Sequence, residues 1–200
     1  MQDMDQRELA RAVVEALESS GDFQSVELIG SIAEEVFDAF SDIDILIADD
    51  RRPPYGNVEL ASSIIDKSFG LLLRDWAKSL IPNKYLINHF IPGYPIFWWI
   101  DIGCFPSPRF ADISVLDVAQ DMNEHFAKVL VMNAKHFLRG DMECLRIREI
   151  HRRLFRDASE SLTEKGLFQQ VYEKIDYSGI SPEFREKTKK LMEAVMGRPP

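Results

Sequence analysis

The sequence predicts an α/β (α+β) protein in which a mixed sheet with flanking helices is followed by a helical C-terminal domain. Residues 42–48 begin with aspartates at 42 and 44 that alternate with isoleucines at 43, 45 and 47, as expected for a strand with one buried face. Two more runs rich in β-branched and aromatic residues, 84–91 and 96–105, flank a turn-forming segment. Beyond residue 111, apolar residues recur at helical intervals and no strand pattern returns. We therefore expect a first domain over residues 1–111 and a helical domain over residues 112–200.

The first two predicted strands follow an amphipathic helix. Residues 5–19 place apolar side chains three and four positions apart, and Gly21 is placed to end that helix. Residues 26–29 are predicted to form the first strand and residues 42–48 the second. The helix is expected to cover one face of the sheet.

A loop and a long helix are predicted next. Prolines and charged residues over 49–56 indicate the loop. Its Arg51 and Arg52 either pair with neighbouring aspartates, the interpretation that we favour, or reach a bound triphosphate. Residues 57–80 carry apolar side chains at helical intervals, interrupted by Gly70, which predicts one long helix or two helices with a kink.

A hairpin is predicted from residues 84–91 and 96–105, which flank the turn signal of residues 92–95. Its second arm carries Asp101 and can lie beside the second strand. An aspartate within so apolar a run is costly to bury without a partner or a metal ion. His89, on the first arm, is expected to be a hydrogen-bonded structural residue.

The C-terminal part is predicted to be helical throughout. Proline after serine marks the start of the last helix, and Gly140 ends the first. The predicted helices span residues 118–138, 144–155, 167–175 and 182–196.

Two aspartates separated by one residue form the main chemical motif. Because successive side chains of a strand point to opposite faces, Asp42 and Asp44 emerge on one face, while Ile43, Ile45 and Ile47 face the core. Two carboxylates on a rigid face make a hard oxygen site of the kind Mg²⁺ accepts when a substrate's phosphates add ligands. The alternative for this pair alone is a loop-to-strand junction with one capping and one solvated aspartate.

Gly30 and Ser31 lie where the strand of residues 26–29 runs into a turn or short helix. Free backbone N–H groups and a hydroxyl can meet a phosphate at such a place, and glycine allows a close approach. The pair is therefore a candidate phosphate-binding element.

This pattern resembles the nucleotidyltransferase superfamily of DNA polymerase β-like enzymes, including its minimal and aminoglycoside-type members. Their signature is Gly-Ser, a spacer and Asp-hydrophobic-Asp-hydrophobic, which here reads Gly30-Ser31, ten residues and Asp42-Ile43-Asp44-Ile45. The family has a third carboxylate on a neighbouring strand, to which Asp101 corresponds. Small bacterial members often carry a basic residue directly after Gly-Ser and a glycine four positions beyond the serine, where this chain has Ile32 and Glu35.

The resemblance implies a transferase that moves a nucleoside monophosphate from an NTP, with ATP expected, to an acceptor hydroxyl and releases pyrophosphate. Asp42 and Asp44 would hold two Mg²⁺ ions, and Asp101 would complete the shell of the ion that lowers the pKa of the acceptor hydroxyl. Gly30 and Ser31 would bind the β or γ phosphate. Residues 1–111 would be the catalytic domain, and the helical domain would bind substrate or close the cleft.

The basic stretch of residues 143–156 has three interpretations. Its arginines pair with neighbouring acids on a solvated helix, which we favour, or contact nucleotide phosphates. Alternatively, Arg146 and His151 match the Arg-x4-His pattern of helical RNase modules that accompany minimal nucleotidyltransferases, a match of low specificity.

Composition excludes several classes of partner. With 33 acidic and 24 basic residues, the chain has a formal net charge of −9, whereas long nucleic acid needs a broad positive surface. No signal peptide or membrane-spanning segment is evident, so a cytoplasmic protein is expected.

Cys104 and Cys144 lack metal-ligand spacing and are expected to be buried free thiols, with no zinc motif.

The expected acceptor is a small, hydroxylated, cationic molecule such as an aminoglycoside-like compound. Carboxylates in the signature turn and at the start of the basic helix would concentrate it: Glu34, Glu35, Asp38, Asp141 and Glu143. The alternatives are an antitoxin-like nucleotidyltransferase that modifies or binds a partner protein, and a catalytically inactive nucleotide-binding module.

Overall fold

The computed structural model describes residues 5–110, 120–156 and 161–199. The chain divides into two compact units. Residues 1–94 and 98–119 form the first unit, and residues 95–97 and 120–200 form the second. The predicted boundary between residues 111 and 112 lies outside the described residues.

The predicted mixed α/β architecture with a helical C-terminal part is confirmed. In chain order the α-helices and strands of the described residues are α1 (Gln6–Ser19), β1 (Ser25–Ile29), α2 (Gly30–Ala33), β2 (Ile43–Ala48), α3 (Pro54–Phe69), β3 (Leu73–Trp76), β4 (Tyr85–Phe90), β5 (Ile100–Cys104), α4 (Met122–Arg139), α5 (Ile147–Phe155), α6 (Glu164–Lys174) and α7 (Pro182–Gly197).

The five strands form one mixed sheet in the order β1-β2-β5-β4-β3, in which β2 lies between β1 and β5. It pairs antiparallel with β1 and parallel with β5, while β4 pairs antiparallel with β5 and β3. Ile43, Ile45 and Ile47 are buried, whereas Asp44 and Leu46 are half-buried. The alternation therefore gives the sheet an apolar face and a face that carries acidic side chains.

Helices α1 and α3 pack against the apolar residues of the sheet. The Asp5 carboxylate accepts a hydrogen bond from the backbone N–H of Glu8 at 2.8 Å, and the Glu8 carboxylate accepts one from the N–H of Asp5 at 3.0 Å. This capping box begins α1. The resulting core includes Leu9, Val13 and Leu17 of α1, Val58, Ala61 and Ile65 of α3, and the strand residues Ile43, Ile45, Ile47, Ile87, Ile100 and Ile102.

The prediction of helix across residues 57–80 is wrong in its second half. Helix α3 ends at Gly70, whose φ of +73° favours glycine. The chain then forms β3, an edge strand that pairs with β4, and the N–H of Leu72 donates to the carbonyl of Phe90 at 2.7 Å. Residues 73–76 are extended because they form hydrogen bonds with β4, a strand that follows later in the chain. The local spacing of apolar residues does not reveal this pairing.

The predicted pairing of residues 84–91 with 96–105 is confirmed, because β4 and β5 are antiparallel neighbours. The strands are shorter than expected, and β5 begins only at Ile100. Just before it, the carbonyl of Trp99 accepts a hydrogen bond from the N–H of Ile43 at 2.9 Å. This bond ties the connection to the start of β2.

The second unit contains α4 to α7 among its described residues; α7 begins at Pro182 as predicted, whereas the starts of α4, α5 and α6 differ from the predicted ones. Helix α4 begins at Met122 because the Asp121 carboxylate caps it, accepting from the N–H groups of Asn123 at 2.8 Å and Glu124 at 3.1 Å. Of the four predicted positions before it, 118 and 119 lie outside the described residues. No helix in the described parts of the chain is long and apolar enough to cross a bilayer.

The basic stretch agrees with the solvated interpretation. Arg153 pairs with Glu149 at 2.7 Å, and Arg148 lies 3.5 Å from Glu164. His151 is buried, stacks on Phe155, and its Nε2 atom lies 2.6 Å from Gln170 Oε1. A histidine held in this way serves packing, so the Arg-x4-His interpretation gains no support.

His89 is a buried structural residue, as predicted. Its Nε2 atom lies 2.9 Å from Ser62 Oγ, and its Nδ1 atom lies 3.3 Å from the carbonyl oxygen of Ile100. Burial lowers the pKa of His89 from 6.5 to about 4. The folded protein therefore keeps this imidazole neutral at pH values where the unfolded chain protonates it.

We expect this histidine to make the protein less stable in acid. Between pH 6.5 and about pH 4 the unfolded chain binds the extra proton, so the free energy of unfolding should fall with pH by up to roughly 3 kcal/mol from this group. Urea unfolding over this range, compared with His89→Gln, measures the contribution. Equal pH slopes in the two proteins would contradict it.

Candidate metal centre

Asp42, Asp44 and Asp101 come together on one face of the sheet. One carboxylate oxygen from each lies within 4.8 Å of the others. Asp44 and Asp101 are directly paired in the parallel register of β2 and β5, and Asp42 immediately precedes β2. Asp101 is buried and the other two are half-buried. The structure thus places the three predicted site residues in one cluster.

A tight turn fixes the position of Asp42. The Asp38 carboxylate accepts hydrogen bonds from the N–H of Phe40 at 2.9 Å and the hydroxyl of Ser41 at 3.1 Å. The side chain of Gln6 donates to the carbonyl of buried Ser41 at 2.5 Å. The backbone N–H of Ser41 also donates to the carbonyl of Asp38 at 3.0 Å, so backbone and side-chain hydrogen bonds together hold this turn.

Asp101 is oriented by Asn88, a residue that the sequence analysis missed. Asn88 is the register partner of Asp101 on β4, and its side-chain N–H donates to Asp101 Oδ1 at 2.5 Å. Such a donor fixes the direction of a ligand carboxylate. The sequence contained one clue to this role: Asn88 is a polar residue within the mostly apolar segment that forms β4, and it lies on the same face of the sheet as Asp101.

Gly30 lies against Asp44. Its φ is +71°, and a Cβ atom at this position would lie 2.5 Å from Asp44 Oδ2 and 3.2 Å from its Cγ. The backbone conformation favours glycine, and a larger residue would displace the Asp44 carboxylate. Ser31 follows in α2 and is half-buried. The Gly-Ser turn is therefore adjacent to the acidic cluster.

The two departures from the family pattern have different structural outcomes. Ile32 is buried in the core, so the position after Gly-Ser provides no polar group. Glu35 has a φ of +60°, which keeps the backbone conformation that glycine favours, and its exposed side chain lies 3.7 Å from Arg7. The turn thus has a left-handed backbone conformation at residue 35 and an apolar, buried side chain at residue 32.

Lys84 is a second residue that the sequence analysis missed. It crosses over Gly103, where an added Cβ atom would lie 2.6 Å from Lys84 Cε. Gly103 is two residues beyond Asp101 in β5, so both face the same side of the sheet. The face with the acidic cluster therefore also carries a positive charge, contributed by the residue directly before β4, which is distant in sequence from the Gly-Ser turn.

Arg51 and Arg52 pair with aspartate, as we favoured. Asp49 is buried and lies 2.5 Å from Arg51 Nη2 and 2.9 Å from Arg52 Nη2. The hydrogen bond from Arg51 lowers the pKa of Asp49. These guanidinium groups hold the loop after β2, which weighs against a triphosphate role.

The cysteine prediction is right for Cys104 and wrong for Cys144. Cys104 is buried, and burial raises its pKa. Cys144 is exposed, in the turn that follows α4. The helix predicted from residue 144 begins only at Ile147, so Cys144 lies outside it.

The comparisons with known proteins give little information. No family model matches the chain, and no curated protein matches it. A solved structure described as the polymerase core of TRAMP, an RNA surveillance complex, is 14% identical, with a TM-score of 0.36. The alignment covers 95% of this chain and 55% of that one, so the chain spans about half of that structure's length.

Replacement of Gly30 should disturb the cluster. Gly30→Ala is expected to lower the free energy of unfolding by about 1–3 kcal/mol, because alanine disfavours this φ and its methyl group collides with Asp44. Mn²⁺ affinity should fall as Asp44 moves. Gly56→Ala in α3, where nothing lies within 4 Å of the added carbon, is the matched control. Equal stability and metal affinity in both variants would contradict the contact.

Proposed function

We propose that this chain is a Mg²⁺-dependent nucleotidyltransferase that transfers a nucleoside monophosphate, with ATP as the expected donor, to a hydroxyl group of a small acceptor. The observation that carries this proposal is the convergence of Asp42, Asp44 and Asp101 within 4.8 Å, beside the Gly-Ser turn. Three carboxylates on two adjacent strands are a rigid set of hard oxygen donors. Their chemistry fits Mg²⁺.

The proposed reaction forms a bond between the acceptor oxygen and the α phosphorus of the NTP. The bond from the α phosphorus to the oxygen shared with the β phosphate breaks, pyrophosphate leaves, and the hydroxyl proton passes to solvent or a nearby base. Bound Mg²⁺ would neutralise phosphate charge and favour the ionised acceptor hydroxyl. The role of the chain is to position the reactants and to balance their charge.

Each site residue has a part in this scheme. Asp42 and Asp44 would hold two ions, and Asp101, oriented by Asn88, would complete the shell of the ion near the acceptor. The backbone N–H groups at Gly30 and Ser31 would bind the β or γ phosphate. The position of Gly30 directly against Asp44 supports this assignment, because bridging ions require phosphate and carboxylate oxygens to be close.

Charge supports a small cationic acceptor, such as an aminoglycoside-like compound. Glu34 and Glu35 are exposed in the signature turn, on a chain of net charge −9. They would attract a cation by electrostatic steering. Asp38 contributes less than its sequence position suggested, since its carboxylate is engaged in the turn before Ser41.

The test is a transfer assay with α-labelled ATP, GTP, CTP and UTP, Mg²⁺ and a panel of aminoglycosides, lincosamides, polyols and cell proteins. Pyrophosphate release with label on a small hydroxylated compound would support the proposal. Label on a protein alone would support the partner-modifying alternative. Tight binding of Mg²⁺ and NTP without pyrophosphate release in any mixture would favour the inactive nucleotide-binding module.

A further inference from the structure

A second group of metal-ligating side chains lies in the helical unit, at the end of α4. A ring nitrogen of His136, a carboxylate oxygen of Asp141 and the Sγ atom of Cys144 all lie within 4.8 Å of one another. His136 and Asp141 are half-buried, and Cys144 is exposed. Nitrogen, oxygen and sulfur ligands therefore converge where solvent has access.

The separations suit a tetrahedral Zn²⁺ site. Zn²⁺ binds imidazole and carboxylate at about 2.1 Å and thiolate at about 2.3 Å, so tetrahedral angles place its ligand atoms roughly 3.3–3.6 Å apart. His136 Nδ1 and Asp141 Oδ2 are 3.1 Å apart, within a few tenths of an ångström of that distance. Cys144 is exposed, so core packing does not prevent its thiol from adjusting by rotation about χ1.

The backbone forms this arrangement without an ion. Gly140 ends α4 in the left-handed conformation, with a φ of +82°. The N–H of Asp141 then donates to the carbonyl of His136 at 2.9 Å. The N–H of Leu145 donates to the carbonyl of Met142 at 3.4 Å. A preformed turn reduces the entropic cost of binding, and the negative end of the helix dipole favours a cation here.

We infer that His136, Asp141 and Cys144 bind a Zn²⁺-type ion at a site chemically different from the aspartate cluster. Thiolate and imidazole favour Zn²⁺, whereas an all-carboxylate set favours Mg²⁺. As the metal–sulfur bond forms, the thiol proton passes to solvent. Three protein ligands leave a fourth position for water or another ligand. The sequence spacing His-x4-Asp-x2-Cys did not indicate this site, because it contains a single cysteine.

The test uses Co²⁺ as a spectroscopic substitute for Zn²⁺, with the full chain, a thiol-free reductant and excess Mg²⁺ to occupy oxygen sites. We expect a charge-transfer absorption from thiolate to Co²⁺ that Mg²⁺ does not remove and that Zn²⁺ abolishes by displacement. Cys144→Ser should abolish the absorption and weaken Co²⁺ binding by more than about 100-fold. Replacement of a residue that only supports a metal ligand usually weakens binding by about 10- to 100-fold, so a larger loss indicates that Cys144 is itself a ligand. His136→Gln and Asp141→Asn should each weaken binding at least about tenfold.

Cys104→Ser is the matched control, because Cys104 is buried in the other unit and should leave the absorption intact. Circular dichroism verifies that each variant is folded, which is expected for a change at exposed Cys144. The inference is overturned if the wild type shows no thiolate absorption, or if the absorption survives Cys144→Ser. It is also overturned if Mg²⁺ displaces Co²⁺ as readily as Zn²⁺ does.

Discussion

In the double variant Asp42→Asn/Asp44→Asn, binding of Mg²⁺ and binding of a non-hydrolysable NTP are expected to become independent. In the wild type each should strengthen the other, because the ions bridge phosphate and carboxylate oxygens. Turnover should fall by at least roughly 10³-fold, the equivalent of the several kcal/mol that metal ions contribute to the transition state. Titration calorimetry with and without the second ligand measures the coupling.

The matched control removes two exposed negative charges elsewhere in the first unit, by Asp66→Asn/Glu27→Gln. This variant has the same net charge as the Asp42→Asn/Asp44→Asn protein, so a general electrostatic effect would appear in both. We expect wild-type coupling and turnover in the control. Coupling that persists in the Asp42→Asn/Asp44→Asn protein would show that the metal site lies elsewhere.

The sequence predicted those elements whose pattern is local. The isoleucines of β2 alternate strictly with polar or half-buried positions, so the strand and the facing of Asp44 could be deduced. Gly140 was likewise predicted to end a helix, and it caps α4 in the αL conformation. The edge strand β3 could not be predicted, because its residues satisfy a helical spacing and only the hydrogen bonds to β4 select the extended form.

The candidate site was predictable only where it resembled a known signature. Asp42, Asp44 and Asp101 matched the motif, but the hydrogen bond from Asn88 depends on the register of β4 and β5. The contact of Gly30 with Asp44 likewise depends on how the turn packs. A one-dimensional pattern specifies ligand types, whereas the supporting groups come from neighbouring strands.

Asp101→Asn is expected to separate catalysis from nucleotide binding. Asparagine keeps the shape of the side chain and a carbonyl oxygen that can accept the hydrogen bond from Asn88. It removes the charge that completes the shell of the ion near the acceptor. NTP affinity should therefore change by no more than a few-fold, while turnover should fall by roughly 10²–10⁴-fold. Single-turnover kinetics at saturating NTP measure the effect, and turnover within a few-fold of wild type would exclude Asp101 as the third carboxylate.

Stability provides an independent readout for the same variant. Without Mg²⁺, three carboxylates within 4.8 Å repel one another, so removal of one charge should leave the protein at least as stable as wild type. Mg²⁺ should then stabilise the wild type more than Asp101→Asn, because binding to the folded state adds to stability. Asp49→Asn is the opposite control: it breaks the buried pairs with Arg51 and Arg52, so stability should fall while turnover per folded molecule is kept. An Asp101→Asn protein destabilised as much as Asp49→Asn, with no difference in its response to Mg²⁺, would identify Asp101 as a structural residue.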